Sequence, residues 1–458
     1  MAHSGSYTRK PWGYSWRTSR LFIIIVISIA MFTDYFLFSF IIPILPEILE
    51  DRLSVPLQRT QLLTSIILSM NAIVSIVLAP IVGSLSDRVK WKSRLMLLAY
   101  LVDVVGTAVT AWSTTVAGLI IGRFVQTISG SLLWIAGMAI LGGSMEHNQL
   151  ARAMSICVLF ASGGLLSGPG VSAALFNSTT YNITWLSAFF ILILAAGFQL
   201  FVLEPYNFPP HFDNDCHDSF VQDGQDHTET DSLLSHTYTI TSSGADWESS
   251  PRPAASSSRI YWMMLCKRRV LAAVIGEMLL AMLISSFEAT IPLHIKHVFH
   301  WESLQAGMLF LLLQAPSLIL AFPAGWLKDY YGMHVPVTVG FLLMAPSLWL
   351  LGVPGTENFQ WANNHAGRVV YIVTLVSIGV SRTLVLGLGG VEVMRGATEL
   401  VADYPGIFGA QTGHSRGFVL SNITFKLGMF LGPLVSGFLT ESIGYYFMNV
   451  IFGEFAGP

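Results

Sequence analysis

Long apolar runs separated by short polar breaks dominate this chain. The runs lie near 21–45, 62–83, 95–112, 116–142, 154–176, 184–203, 271–293, 304–326, 335–353, 369–391 and 418–440. About 18–25 apolar residues suffice to cross a bilayer, so the pattern predicts eleven full spanning helices. After Gly444 the chain reads YYFMNVIFGEFAGP. At about 1.5 Å per residue this is too short to span, and it predicts a shortened twelfth helix. One polar interruption is far longer than the rest. Residues 204–270 are rich in Ser, Thr, Asp and His, end in Lys267-Arg268-Arg269, and carry too little apolar surface to fold alone. The expected architecture is all-α and polytopic: a cytoplasmic tail (1–20), a six-helix half (21–203), a polar cytoplasmic linker (204–270) and a second half with a truncated last helix (271–458).

The two halves repeat each other. Arg152 is followed by Gly164, Gly168 and Pro169; Arg416 is followed at the same spacings by Gly428, Gly432 and Pro433. A second pair, Gly83-Ser-Leu-Ser-Asp87-Arg88 and Gly325-Trp-Leu-Lys-Asp329, starts the first cytoplasmic turn of each half. Duplicated bundles with small residues at matching helix contacts are the build of secondary transporters. In that reading the glycines allow close backbone approach, helices five and eleven form hinges or seams between the halves, and Asp87 and Arg88 lock the cytoplasmic side.

Composition agrees with the apolar pattern. Of 458 residues, 53% are hydrophobic and only 11% charged, too few charges to cover a water-soluble surface. The net charge of −3 suggests no nucleic-acid partner, and three cysteines suggest no disulfide framework. Neither a metal cluster, an activated Ser or Cys, nor a nucleotide-binding loop is present, so no enzyme activity, cofactor or metal is expected. The first run is too long for a signal core and reads as a spanning helix.

The charges orient the bundle. Of the 24 Lys and Arg, only Arg52, Arg59, Lys296 and Arg368 fall on one side, and Arg123, Arg382 and Lys426 fall within helices. The remainder share the opposite side, which is therefore cytoplasmic. Two sequons, Asn177 and Asn182, then fall outside and are expected to carry glycans.

These motifs together resemble the major facilitator superfamily, within it the proton-coupled drug antiporters and the vesicular amine transporters. GSLSDRVKWKSR is similar to the signature loop, with Lys90 in a glycine position. LIIGRFVQTISG is similar to the fourth-helix motif, keeping Arg123 and Gln126 with Thr127 in its glycine position. Gly164-x-x-x-Gly168-Pro169 resembles the antiporter motif of helix five, with Ser172 where glycine is usual. The stretch from Asp34 to Pro46 is similar to the amine transporters' first helix, and Phe287-Glu288-Ala-Thr-Ile-Pro292 to their seventh. Asn71 stands where they carry lysine, and Arg382 and Asn422 where they carry aspartates, so the resemblance implies the scaffold and only part of the amine chemistry.

A charge at the bilayer centre costs about 2.5–3.5 kcal/mol and usually faces a partner or a wet cavity. Asp34 is the leading candidate for proton or substrate coupling, because a carboxylate that alternates between wet and dry surroundings takes up and releases protons. Glu288 is the second; it precedes Pro292 by four residues as Ser39 precedes Pro43, which suggests repeat-equivalent positions. The resemblance implies that Arg123, with Gln126, takes part in proton coupling. Arg382 and Lys426 can pair with the carboxylates, select an anion, or snorkel to a helix end. Asp103 and Glu277 read as structural.

The expected activity is proton-coupled export of a small organic molecule (a toxin, drug or secondary metabolite) by a monomer in the lipid bilayer, at the cell membrane or alternatively the vacuolar membrane. A vacuolar or vesicular amine–proton exchanger and a non-transporting sensor or remnant are the alternatives.

Overall fold

The computed structural model of the chain describes residues 13–89, 91–145, 147–203, 257–356, 359, 362, 365–404 and 414–456. The described residues are almost entirely helical. A short helix α1 (Tyr14–Arg17) precedes the first span α2 (Arg20–Phe40), followed by α3 (Leu45–Glu47) and a π-helical turn over Ile48–Arg52. Five more long helices complete the first half: α4 (Leu57–Arg88), α5 (Lys92–Trp112), α6 (Val116–Ser144), α7 (His147–Ser178) and α8 (Tyr181–Leu200). The second half holds α9 (Ser257–Cys266), α10 (Arg268–Phe299), α11 (Ser303–Ile319), α12 (Ala321–Tyr331), α13 (His334–Gly352) and α14 (His365–Val385). It ends with α15 (Leu388–Asp403), α16 (His414–Ile443) and α17 (Tyr445–Ala456). Among the described residues, ten helices are long and apolar enough to cross a membrane; counting the bent pair α11–α12 as one span makes eleven.

The breaks have local causes. Pro43 has no N–H to offer Ser39, whose carbonyl takes the Ile42 N–H at 3.2 Å instead, and α2 stops at Phe40 rather than running to 45 as expected. The eighth span bends by 48° at Leu320 because Pro323 cannot donate to the Ile319 carbonyl. The tenth span breaks at Gly387, whose φ of 89° is left-handed and ends α14 before α15 resumes. Gly444, also at φ 89°, separates α16 from the 12-residue α17. The expected polar linker lies outside the described residues as far as 256. Its last stretch is not a polar tether: α9 carries the apolar run Tyr261 to Leu265 and buries Met264 against Val270, Val393 and Leu400. Spanning helix α10 begins at Arg268, three residues before the expected boundary at 271.

Within each half the packing repeats. In the first, α2 packs on α7 and α5 on α6; in the second, α10 packs on α16 and α13 on α14. Between halves, α4 meets α16 and α7 meets α11. Large apolar side chains such as Phe190, Ile193, Phe322 and Phe438 remain exposed on the outer surface, which suits lipid as the surrounding solvent.

Candidate functional site

A cavity of about 930 Å³, mouth included, opens on the seam between the halves, walled by α2, α4, α6 and α16. Asp34, Asn71, Asn422 and Lys426 give it polar chemistry; Tyr35, Phe38, Trp134 and Phe425 give it apolar walls. The outer faces of these helices carry exposed apolar residues such as Leu62, Val77, Ile121 and Phe438, so the polar groups turn inward to the seam. Asp34 is accommodated by Gly130 of α6, where a Cβ would stand 3.0 Å from the Asp34 Cγ.

Behind Asp34, α5 and α6 carry a second polar layer. Arg123 (4% exposed) donates from Nη1 to Gln126 Oε1 at 2.9 Å and from Nη2 to the Phe38 carbonyl at 3.4 Å. That carbonyl is available because Ile42, its ordinary helical donor, bonds to Ser39. The guanidinium also lies 5.8 Å from the Phe38 ring centroid. Gln126 is fixed by donating from Nε2 to Thr107 Oγ1 at 2.8 Å. The Thr127 hydroxyl lies 3.0 Å from Asn71 Oδ1 and 2.9 Å from the Arg123 carbonyl. So the threonine at the motif's glycine position ties α6 to α4, and asparagine at the position of the amine transporters' lysine serves as its acceptor.

In the second half, Glu288 on α10 is 3% exposed and Arg382 on α14 is 8% exposed. Arg382 Nη1 donates to Gln314 Oε1 of α11. Glu288 Oε2 and Arg382 Nε have no hydrogen-bond partner. Among the described residues, no ion pair within 4.0 Å joins Asp34, Asp103, Arg123, Glu288, Arg382 or Lys426 to an opposite charge. Neither Glu288 nor Arg382 lines the cavity. Lys426 does, and it interacts electrostatically with both Asp34 and Glu288. It is the cation that links the two half-sites.

The end away from the basic loops is shut. Lys296 on α10 binds Glu50 of the π-helical turn at 2.6 Å, with Asp51 at 3.9 Å. The Ser303 N–H at the start of α11 donates to Glu47 Oε1 at 3.0 Å, and Gln61 of α4 donates to the Ala289 carbonyl at 3.2 Å. These contacts join the two halves at this end. Burial pushes the Glu47 carboxyl above its ordinary value, opposed by its hydrogen bonds to Ser303 and by Lys296.

The repeated glycines do not lie between the halves, as expected from sequence, but within each. A Cβ on Gly164 or Gly168 would strike the backbone of α2 at Phe32 and Phe36; one on Gly428 or Gly432 would strike α10 at Met278 and Met282. Close approach is needed where α7 and α16, interrupted by Pro169 and Pro433, pack along their own half's first helix. The same contacts correct the repeat register. Ser39 matches Ser285, since these are the side chains that Gly168 and Gly432 meet, so Glu288 corresponds to Ile42 and Asp34 to Leu280. The two carboxylates are not repeat partners; along their helices they differ by eight positions, about 12 Å. Between the halves the close contacts involve other glycines: Gly307 faces Pro169 and Ala173, Gly170 faces Leu311, and Gly437 faces Ser65.

Gly83, Asp87 and Arg88 occupy the basic end of α4, and Asp329 that of α12, but apart from the helical backbone they lie outside the described residues, as do the side chains of Arg152 and Arg416. Gly325 on α12 faces open space. Asn177 and Asn182 are exposed at the shut end, in the last turn of α7 and the first of α8. Sequence reasoning missed Gly130, Gln314 and the Glu47–Glu50–Lys296 group. It also took Asp103 for structural, although it is 2% exposed and faces Arg123. The signal for Asp103 was its helix: Gly106, Thr107 and Thr110 follow on the same face.

The Major Facilitator Superfamily profile matches residues 27–410. An uncharacterized MFS-type transporter of Schizosaccharomyces pombe is 28% identical over 94% of this chain and 92% of its own length. The synaptic vesicular amine transporter of Bos taurus is 21% identical over 85% of this chain and 63% of its own. A bacterial homologue of the human lysosomal transporter Spinster, solved inward-facing and unoccupied, superposes with a TM-score of 0.65 at 11% identity, covering 92% of this chain and 82% of that one. With the profile spanning most of its length, the chain belongs to the Major Facilitator Superfamily and is a membrane transporter.

Proposed function

We propose that the chain exports a small amphipathic organic molecule in exchange for protons. The observation that carries this reading is the cavity's mixed wall, with Asp34 beside Lys426 among aromatic side chains. Such a cavity suits a flat or aromatic body with one or two polar groups. Asp34 is the exchanging group: it reaches the cavity, no cation binds it within 4 Å, and Lys426 and Arg123 act on it from two sides. Occupation of the cavity by substrate, and its rehydration after release, change the surroundings of that carboxylate, which links its proton to the substrate. With the far end shut by the Lys296 group, loading is from the cytoplasmic side, in keeping with export. One proton crossing 100 mV supplies about 2.3 kcal/mol and each pH unit about 1.4 kcal/mol, enough to sustain a steep gradient. The cell membrane is the expected site of action.

Amine exchange is the second reading. Asp34 in the cavity wall and the likeness to the vesicular amine transporters favour it; Lys426 in the same wall and Asn422 in place of a carboxylate oppose it, since a cation repels a protonated amine. Yeast stripped of its own pumps and expressing the full chain distinguishes the readings. Cells are loaded with rhodamine 6G, a lipophilic cation, or with carboxyfluorescein, an anion, under an imposed pH gradient. Export that requires both the gradient and Asp34 is expected. Retention of both dyes, or export indifferent to the gradient and to Asp34→Asn, overturns proton exchange at this site. Uptake of the cation alone into acidic organelles favours the amine reading.

A further inference from the structure

The N-terminal half holds one more buried carboxylate than its motifs account for. Asp103 on α5 is 2% exposed, and with Asp34, Arg123 and Gln126 it lines a narrow pocket that shares Asp34, Phe38, Asn71 and Thr127 with the main cavity. Its helix is shaped for this contact. Gly106, one turn on, lets α5 approach α6 so closely that a Cβ there would lie 2.8 Å from the Gln126 amide nitrogen. Thr107, also on that face, anchors Gln126. Gln126 in turn holds Arg123.

That arrangement leaves one guanidinium between two carboxylates and bonded to neither. It donates to neutral oxygens, Gln126 Oε1 and the Phe38 carbonyl, and neither Asp34 nor Asp103 comes within ion-pair distance. The charged and titratable groups acting on Asp103 are Arg123 from α6, Asp34 from α2 and, on its own helix, Tyr100. The α8 sequence, packed on α5's other side, has no charged residue. Lys426 of α16 acts on Asp34 from across the seam. Because Lys426 belongs to the other half, it moves with that half when the halves rock, while Asp103 stays with Arg123.

We propose that Asp103 is the alternate counter-ion of Arg123: it holds the guanidinium when Asp34 carries a proton, and yields it when Asp34 is ionised. This rests on the proton exchange proposed above and adds a positioning residue to it. A single cation cannot fully compensate two buried carboxylates at once, so the protonation of one is coupled to the other. The narrow pocket between them leaves room for a water.

The test needs no substrate. The full chain in lipid nanodiscs is titrated while infrared difference spectra follow its protonated carboxyl bands; Asp34→Asn identifies the Asp34 band by its loss. In Asp103→Asn, the Asp34 band is expected to titrate about one unit or more lower in pH, because Arg123 then serves Asp34 alone. Asp103→Glu, which keeps the charge, is expected to restore the native midpoint and controls for folding. An Asp34 midpoint that stays put in Asp103→Asn while Asp103→Glu is folded overturns the proposal and leaves Asp103 a packing residue. Absence of any titrating Asp34 band in the native chain sinks the proton exchange itself, a distinguishable result.

Discussion

The two halves use one plan for packing and two plans for charge. Each lays its fifth helix against its first through a pair of glycines, Gly164 and Gly168 or Gly428 and Gly432, with the same backbone approach. Each also buries an arginine on its fourth helix and ties it to a glutamine amide, Arg123 to Gln126 and Arg382 to Gln314. Beyond that the symmetry ends. The first half surrounds its arginine with two carboxylates, Asp34 and Asp103. The second supplies one, Glu288, and adds Lys426, whose repeat counterpart by the glycine spacing is Ser162. So one half brings an excess of negative charge to the seam and the other an excess of positive, and the cavity lies where they meet. The scaffold that must move is duplicated, whereas the chemistry that must discriminate is not.

The comparison is broken most severely through the arginines. Removing one partner of a buried charge group costs about 3–5 kcal/mol. Arg123→Leu and Arg382→Leu are expected to lower the melting temperature of the detergent-purified chain, Arg123→Leu the more because it strands two carboxylates. Equal stability of the native chain and Arg123→Leu would mean the first half has no such dependence. The glycine seams come next. Gly164→Ala and Gly428→Ala each force a methyl against a neighbouring backbone oxygen, an overpacking cost of about 1–3 kcal/mol, and the two losses are expected to match. A seam that accepts alanine without change would break the packing symmetry.

A smaller effect belongs to the shut end. Lys296→Gln removes a charge-assisted bond to Glu50 and weakens the closure by about 1–2 kcal/mol. Labelling of a cysteine placed at Ser65 by a membrane-impermeant maleimide should then speed up from outside; unchanged labelling would mean the bond does not hold the gate. Glu47 sets a pH dependence with a definite sign. Its carboxyl is raised above 4.5 in the closed arrangement, so its contribution to closure is present below that value and fades as external pH rises through the raised one. Labelling should accordingly slow as external pH falls, and Glu47→Gln should flatten that slope. The smallest effect is expected at Asn177 and Asn182: glutamine at both removes any glycan, read by gel mobility, and leaves transport within about twofold, as surface changes usually do.

The spans were legible because lipid demands long apolar runs, and Arg123, Asp34 and Lys426 were legible because buried charge is costly and therefore rare. The helix breaks at Leu320 and Gly387 were not, since the apolar pattern runs through both without pause. Nor could spacing alone reveal which helix each glycine meets. Matching prolines suggested that Glu288 repeats Ser39; the glycine contacts show a register shifted by three residues. Gln314, Gly130 and the Glu47–Glu50–Lys296 group depend on contacts between helices distant in sequence, and only Asp103 left a trace, in the polar stripe that follows it.

Proton movement measured directly tests the central claim. The full chain is reconstituted in liposomes containing pyranine, with no initial pH difference, and a rhodamine 6G gradient is imposed. Proton exchange at Asp34 predicts a pH change inside the vesicles opposite in direction to dye movement, abolished by Asp34→Asn. Dye movement by the native chain without a proton signal, or a signal unchanged in Asp34→Asn, would contradict it.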